Sequence, residues 1–503
     1  MYIPGRGFTY LIEFGEKGRE RYLPEVRAID HYEIPDSDGY DGKAYVQIAM
    51  RPNLGDPTLH ASVDGLAYRA RRMLFLWSAW LLGAGKPSWV MEVYSLQNVI
   101  CWLVLAAILL RWFPPDSWEN VLRWGFVLFS FGLVFSVRSS LLDGPSLLLI
   151  AVAMALIGSR RPWLAAAVLG VSGLGKDTNV LGGLALELPR YFTVRGYLAF
   201  ACRLALVVLP LLLWVGCITL WIGNGKDPGA RNFAPPFHGF IGKLKLVVSE
   251  LGHERYPFSS VAKFDFLVLL GIASQFLFFV LRPDRGNPWW RLGIGYAFLM
   301  VFLGSGVWEG YPTAASRVLL PMALAFNVLV PRGRGWLVVL LAGNMGVISS
   351  FNLLRPPPRA SMSVDGPAYL KRNMGSGKDV SVVFSGDSWR GAERSTFDYW
   401  RWSEGDCEID LFNPQPFPIR AEIHMVLRTL VVHKITIIFG DAPVWSGDLQ
   451  RSRGEKVALN NLIIKPGRNV FLFRTQGPSA LDAHKQPIDF GVWNAVLILD
   501  GKL

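Results

Sequence analysis

The chain reads as a polytopic α-helical membrane protein, with about ten transmembrane helices, followed by an all-β sandwich or jelly-roll domain. Three observations predict this. Of 503 residues, 51% are apolar and only 18% charged, against about a quarter charged in ordinary soluble domains, and mean hydropathy is +0.30. Apolar runs approaching the roughly 20 residues a helix needs to cross a bilayer recur from residue 91 to 353. Beyond 353 the apolar period drops to two, the signature of strands. A soluble core would struggle to hide 19 Trp and 31 Phe, which a bilayer accepts readily. The net charge of +12 points to no nucleic-acid partner. The Arg residues fall in short clusters between apolar runs, which is the positive-inside pattern and not a basic groove.

Residues 1–72 form an N-terminal segment with an acidic motif. MYIPGRGFTYLIEFGEKGRERYL holds no apolar core of a secretory signal, so internal helices are expected to anchor the chain. The transmembrane domain is placed at 73–353. Its first stretch, MLFLWSAWLLGAG (73–85), is short for a span; with YRARR before it and Trp77 and Trp80 within it, it suits the headgroup level. The expected spans are 91–111, 121–138, 144–159, 162–176, 178–189, 198–222, 261–281, 290–307, 313–331 and 335–353, of which 178–189 is the weakest. Arg111 with Arg123, Arg160 with Arg161, Arg190 with Arg195, RPDRGNPWWR and PRGRG mark one set of loops as cytoplasmic. RSSLLDG, GKDT, loop 223–260 and VWEGYPTAASR then face outward. This places residues before 91 outside with no span upstream, so a first helix missing from this chain is the expectation. The setting is the cytoplasmic membrane, with membrane lipids as neighbours.

LLRPPPRA opens a stiff linker at 354–374. CEIDLFN, HKITIIF, RNVFLFR and NAVLILD then alternate, separated by turns such as KPGRN, and predict a β-sandwich over 375–503 on the outer face. Cys101, Cys202 and Cys217 lie in apolar runs and Cys407 stands alone, a spacing with no disulfide framework. The His residues form no metal-binding motif, and neither a protein-bound metal nor a divalent-metal requirement is indicated.

The outward loops hold the charges that carry chemistry. Asp36, Asp38 and Asp41 crowd EIPDSDGYDGKAY; Arg138 and Asp143 bracket RSSLLDG; Lys176 and Asp177 follow in GKDT; Glu309 sits in VWEG and Arg317 in AASRVLLP. LGVSGLGKDT mimics a phosphate-binding loop through Gly170, Gly175 and Lys176, but Asp177 stands where magnesium needs Ser or Thr, and no buried strand precedes it. Acids and bases converging on one face suit sugar transfer from a lipid-phosphate donor. A carboxylate takes the acceptor's proton, cations hold the leaving phosphate, and the sugar passes through an oxocarbenium-like state. Plainer readings compete. Asp38-Gly39 and Asp41-Gly42 are turn formers, Arg317 suits an interfacial anchor, Asp143-Gly144-Pro145 suits a helix start, and Glu309 a turn. In the β domain, Trp389, Tyr399, Trp400 and Trp402 could stack on sugar rings, although core packing explains such aromatics more often.

The layout resembles the GT-C superfamily of integral-membrane glycosyltransferases, which use polyprenyl-phosphate sugars. DSDGYDGKAY resembles their acidic motif in the first outer loop, GKDTN a Lys-acid-Thr element, and SRVLLP an Arg-plus-Pro element. The β domain resembles the galactose-binding-like jelly rolls appended to some members. The resemblance covers about residues 30–353. It implies a lipid-linked sugar donor, a glycan or lipid acceptor, Asp41 as base with Asp38 in reserve, and Lys176 and Arg317 on the donor phosphate. Arg138, Asp143 and Glu309 would complete the substrate site. Two other classes stay open: a non-catalytic, membrane-anchored glycan-binding or assembly protein, and a lipid-linked-sugar transporter.

Overall fold

The computed structural model describes the chain apart from residues 1, 3–5, 35–36, 188–192, 224–227, 254–260, 311–312, 355–359, 364–379, 395–398, 452–453, 482–485 and 503. Asp36 and most of the linker expected at 354–374 lie outside the described residues. The chain divides into two compact units. One comprises Met1–Phe14, Arg19–His31 and Tyr40–Pro356; the other comprises Gly15–Gly18, Tyr32–Gly39 and Pro357–Leu503.

In the first unit, the expectation of about ten spans resolves into elements of unequal length. Among the described residues three helices are long and apolar enough to cross a membrane: Pro87–Leu109, Val194–Ile222 and Ala262–Leu281. Trp118–Leu128 and Phe131–Arg138 together would make a fourth, bent by 47°. The bend falls where Ser130, with extended ψ, interrupts the helical ladder. Asp143–Gly158, Pro162–Gly173, Leu320–Leu329 and Arg334–Gly343 are apolar but have only 10 to 16 residues, about 15–24 Å at 1.5 Å per residue, short of the bilayer core. The weak run 178–189 is a 3-10 helix, Asp177–Ala185, and not a span. Val194–Ile222 leaves Leu198, Leu209, Leu212, Leu213, Leu220 and Trp221 exposed, as a lipid-facing helix must.

The first unit has two apolar cores. The larger joins the helices from Leu105 to Leu340. The smaller gathers the N-terminal layer: Ile12, Phe14, Tyr22 and Val26 pack with Val46, Ile48, Phe75, Leu76, Met91 and Tyr94. The packing runs unbroken across 72/73, since Leu74–Leu82 shares this core. The helix Gly42–Met50 is buried on nearly every side. Gly42 makes that seating feasible: a Cβ there would lie 2.7 Å from both Ile12 O and Ser139 O.

Among the described residues the second unit contains two large antiparallel sheets and a small two-stranded one, Ala480–Leu481 with Pro487–Ile488. One large sheet runs in the order Ala442–Leu449, His433–Phe439, Gly467–Gln476, Cys407–Asn413, Ser381–Ser385. The other runs Glu455–Ile464, Ile419–Arg428, Gly491–Lys502, Tyr399–Trp402, Glu393–Arg394. Ile409, Leu411, Ile435, Ile437, Phe471 and Phe473 from the first share one core with Ile419, Ala421, Ile423, Leu497 and Leu499 from the second. The alternation seen in the sequence is the alternation of burial along these strands. Ala360–Ser363, inside the expected linker, is a strand paired with Val496–Leu499.

Candidate functional site

Asp41 stands at the N-cap of Gly42–Met50, yet its carboxylate makes no capping bond. Asp56, by contrast, caps Pro57–Ser62 by accepting from Thr58 N. Asp41 Oδ1 accepts from Arg69 Nη1 at 3.0 Å. With 38% of its side chain exposed, Asp41 faces a cavity of about 520 Å³. The turn Leu66–Arg72 supplies three arginines to that cavity. Arg69 is shared with Asp64, whose two oxygens accept its Nε and Nη2 at 3.0 Å each. Burial disfavours the Arg69 cation, but Asp41, Tyr45 and Asp64 more than offset this and hold its pKa above the ordinary value. Arg72 donates to Tyr45 Oη at 2.8 Å and Tyr68 Oη at 3.2 Å, and lies 3.5 Å from Asp177 Oδ1. Tyr68 Oη also accepts from Asn232 Nδ2 at 3.0 Å. Burial pushes the Asp177 carboxyl up, yet Arg72 and Lys176 outweigh it and hold the carboxyl below its ordinary 3.8.

A second cationic group meets at Asp143, the first residue of Asp143–Gly158. Its Oδ1 accepts from Lys176 Nζ and its Oδ2 from Arg317 Nη1, the latter at 3.3 Å. Arg317 Nη2 donates to Tyr40 Oη at 3.0 Å, and the guanidinium lies 5.4 Å from the Phe135 ring centre. Adjacent residues of GYDGKAY thus hold different cations: Tyr40 holds Arg317 and Asp41 holds Arg69. Asp41, Asp143, Lys176 and Arg317 all line the same cavity. Five cationic side chains, Arg69, Arg71, Arg72, Lys176 and Arg317, face three carboxylates there, so the walls favour an anion. Tyr45, Tyr68 and Phe233 add aromatic surface, which sugars and other amphipathic ligands accept. Among the described residues, no three His, Cys, Asp or Glu side chains gather as a metal site.

The other expected site residues lie elsewhere. Arg138 is not among the cavity's lining residues: it pairs with Glu13 at 3.3 Å, donates to Tyr10 O at 3.2 Å and covers the Tyr10 ring at 3.7 Å. It clamps residues 10–13, against which Gly42 seats. Burial raises the Glu13 pKa, and Arg138 opposes the rise. Glu309 pairs with Arg231 on the surface, both more than half exposed. Asp38 falls in the second unit and is not among the lining residues. Trp389 is core: its Nε1 donates to Glu408 O at 2.7 Å and its ring packs on Phe384. Tyr399 is buried, donating to Ala495 O at 3.2 Å. Trp400 and Trp402 are half-buried against Trp493, one stacked and one edge-on.

Sequence reasoning missed Arg69, Arg71, Arg72, Tyr45 and Tyr68 as cavity residues. The signal was present in YRARR, but three arginines before a Trp-bearing apolar stretch read equally well as an interfacial anchor.

No family model and no curated protein matches the chain. Among solved structures four chains match. One is the single-particle cryo-EM structure of the arabinosyltransferase EmbB from Mycobacterium smegmatis, at 10% identity and a TM-score of 0.21, over 86% of this chain and 59% of that one. The chain thus spans less than two thirds of that protein's length, and at this TM-score the likeness carries no argument about function.

Proposed function

We propose that the chain is a membrane glycosyltransferase. It would transfer a sugar from a polyprenyl-phosphate donor to a glycan or lipid acceptor on the outer face of the cytoplasmic membrane. One observation carries this reading: a partly exposed carboxylate, Asp41, lines the same cavity as Lys176 and Arg317, which are already oriented by Asp143.

In this reading the acceptor hydroxyl gives its proton to Asp41 as its oxygen bonds to the anomeric carbon. The bond from that carbon to the phosphate oxygen breaks, and the lipid phosphate leaves with one more negative charge. That developing charge is what preorganised cations stabilise most. An ammonium has three donors and a guanidinium five, so Lys176 and Arg317 can serve phosphate oxygens while keeping Asp143. Arg69, bonded to Asp41 Oδ1, fixes the direction of the carboxylate and leaves Oδ2 for the acceptor. Arg138 would support this site indirectly, by clamping residues 10–13 against which Gly42 seats.

Donor binding tests the cationic half. Purified protein in detergent should retain a polyprenyl monophosphate. Arg317→Ala should weaken retention by roughly one to two orders of magnitude, the range for losing a charge-assisted bond of about 1.5–3 kcal/mol. Arg317→Lys should lose less, because the charge stays while the planar fork goes. If neither variant changes retention, Arg317 is only an anchor and the reading fails at its phosphate end.

A further inference from the structure

We infer that the buried pair Lys243–Asp265 is a positioning device for Arg317. Lys243 lies on the helix His238–His253 and Asp265 on the apolar helix Val261–Leu281. Their charged atoms meet at 2.5 Å with side chains 4% and 0% exposed. An ion pair sealed inside an apolar helical unit is costly to desolvate, and removing one partner leaves an uncompensated buried charge.

Both partners grip the same short stretch of chain. Lys243 Nζ donates to Gly310 O at 2.9 Å. Asp265 Oδ1 accepts from Thr313 N at 3.0 Å. Thr313, itself fully buried, donates through Oγ1 to Val307 O at 3.0 Å, and Thr313 Oγ1 accepts from Ala315 N at 3.2 Å. The next turn, Ala315–Val318, carries Arg317. Gly306, Val307, Ala314, Arg317 and Val318 all line the cavity. The chain entering this cavity wall is therefore tied to a charge pair that is not among the cavity's lining residues, and the same wall carries the Arg317 guanidinium that meets Asp143 and Tyr40. The inference rests on the proposed function only in taking Arg317 as a phosphate cation; its placement stands apart from that.

The test uses the full chain in detergent with two paired replacements. Lys243→Met with Asp265→Leu fills the space with apolar groups and removes both grips. Lys243→Gln with Asp265→Asn removes the charges but keeps a donor for Gly310 O and an acceptor for Thr313 N. The readout is the rate of phenylglyoxal modification at Arg317, mapped by mass spectrometry, with exposed Arg420 of the β unit as internal reference and a thermal melt on each variant. The apolar pair should speed modification of Arg317 by about tenfold, a coupling within the usual range for residues in one network; the neutral pair should leave it within about twofold. Equal rates in wild type and apolar variant, or deprotection in the neutral variant, would overturn the inference. Should the apolar variant not fold, Lys243→Met alone takes its place: it removes the grip on Gly310 O while Asp265 keeps Thr313 N, Arg317 modification should speed up severalfold, and a rate equal to wild type would overturn the inference. Polyprenyl-monophosphate retention is measured in parallel. If the wild type retains none, the functional reading fails, while the modification rates still decide the positioning.

Discussion

Asp41 and Asp143 each begin a helix without serving it as a side-chain cap. A free Asp at such a place would normally take the nearby amides. Here stronger partners take the carboxylates instead: Arg69 for Asp41, and Lys176 with Arg317 for Asp143. This is why the turn-former and helix-start readings, sound as local chemistry, do not describe what these side chains do. Asp177 offers a test of the network by pH. Its folded pKa is depressed below 3.8, so its contribution is fully present above that value and is lost as pH falls through the lower, folded value. Asp177→Asn should therefore melt below wild type at pH 7, and the gap should close as pH falls through and below about 3.8. A gap unchanged between pH 7 and pH 3 would show that Arg72 gains nothing from that carboxylate. The acids and cations of GYDGKAY, RSSLLDG, GKDT and AASR were legible as chemistry because charge is scarce in this chain. Their pairing was not, since Asp143 and Arg317 are 174 positions apart and no local rule sets such a distance.

At the scale of elements, the cavity depends on close approaches that small residues permit. Gly132, in Phe131–Arg138, is one: a Cβ there would lie 2.2 Å from Ser316 O, beside Arg317. Gly132→Ala should push the Ala315–Val318 turn away. Polyprenyl-phosphate retention should fall and the melt should drop by the roughly 1–3 kcal/mol typical of overpacking. Unchanged retention with an unchanged melt would mean that the turn yields freely. Arg123 shows a different use of a buried charge. Only 1% exposed, it donates to Asn327 O, Val330 O and Pro331 O, satisfying the carbonyls at the end of Leu320–Leu329. Long apolar runs located the helices Pro87–Leu109, Val194–Ile222 and Val261–Leu281, because length and hydropathy are legible in sequence. The runs 121–138, 313–331 and 335–353 hid breaks, at Ser130, Leu319 and Asn344. Hydropathy averages over a kink and carries no record of it.

At the scale of the whole molecule, two units differ in what stabilises them: apolar helices in one, a two-sheet core in the other. The period-two pattern made the β domain legible from 407 onward. Ala360–Ser363 was hidden behind a proline-rich stretch that reads as linker, although it pairs with the last strand. A fragment covering 357–503 should accordingly fold alone and melt cooperatively above one covering 375–503, since about 130 residues suffice for a self-sufficient core and the longer fragment also covers an open strand edge. Equal melting would make that strand incidental. Sugar transfer itself tests the role of Asp41. Full-length protein in lipid vesicles is supplied with a polyprenyl-phosphate-linked labelled sugar and candidate acceptors. Asp41→Asn keeps size and turn preference but removes the basic oxygen. It should insert, fold and retain donor as wild type does, with a slightly lower melt from the weakened Arg69 pair, while transfer falls by about 10²–10⁴; Asp38→Asn should remain near wild type. Full transfer by Asp41→Asn, or no transfer by the wild type from any polyprenyl-phosphate sugar, would contradict the assignment.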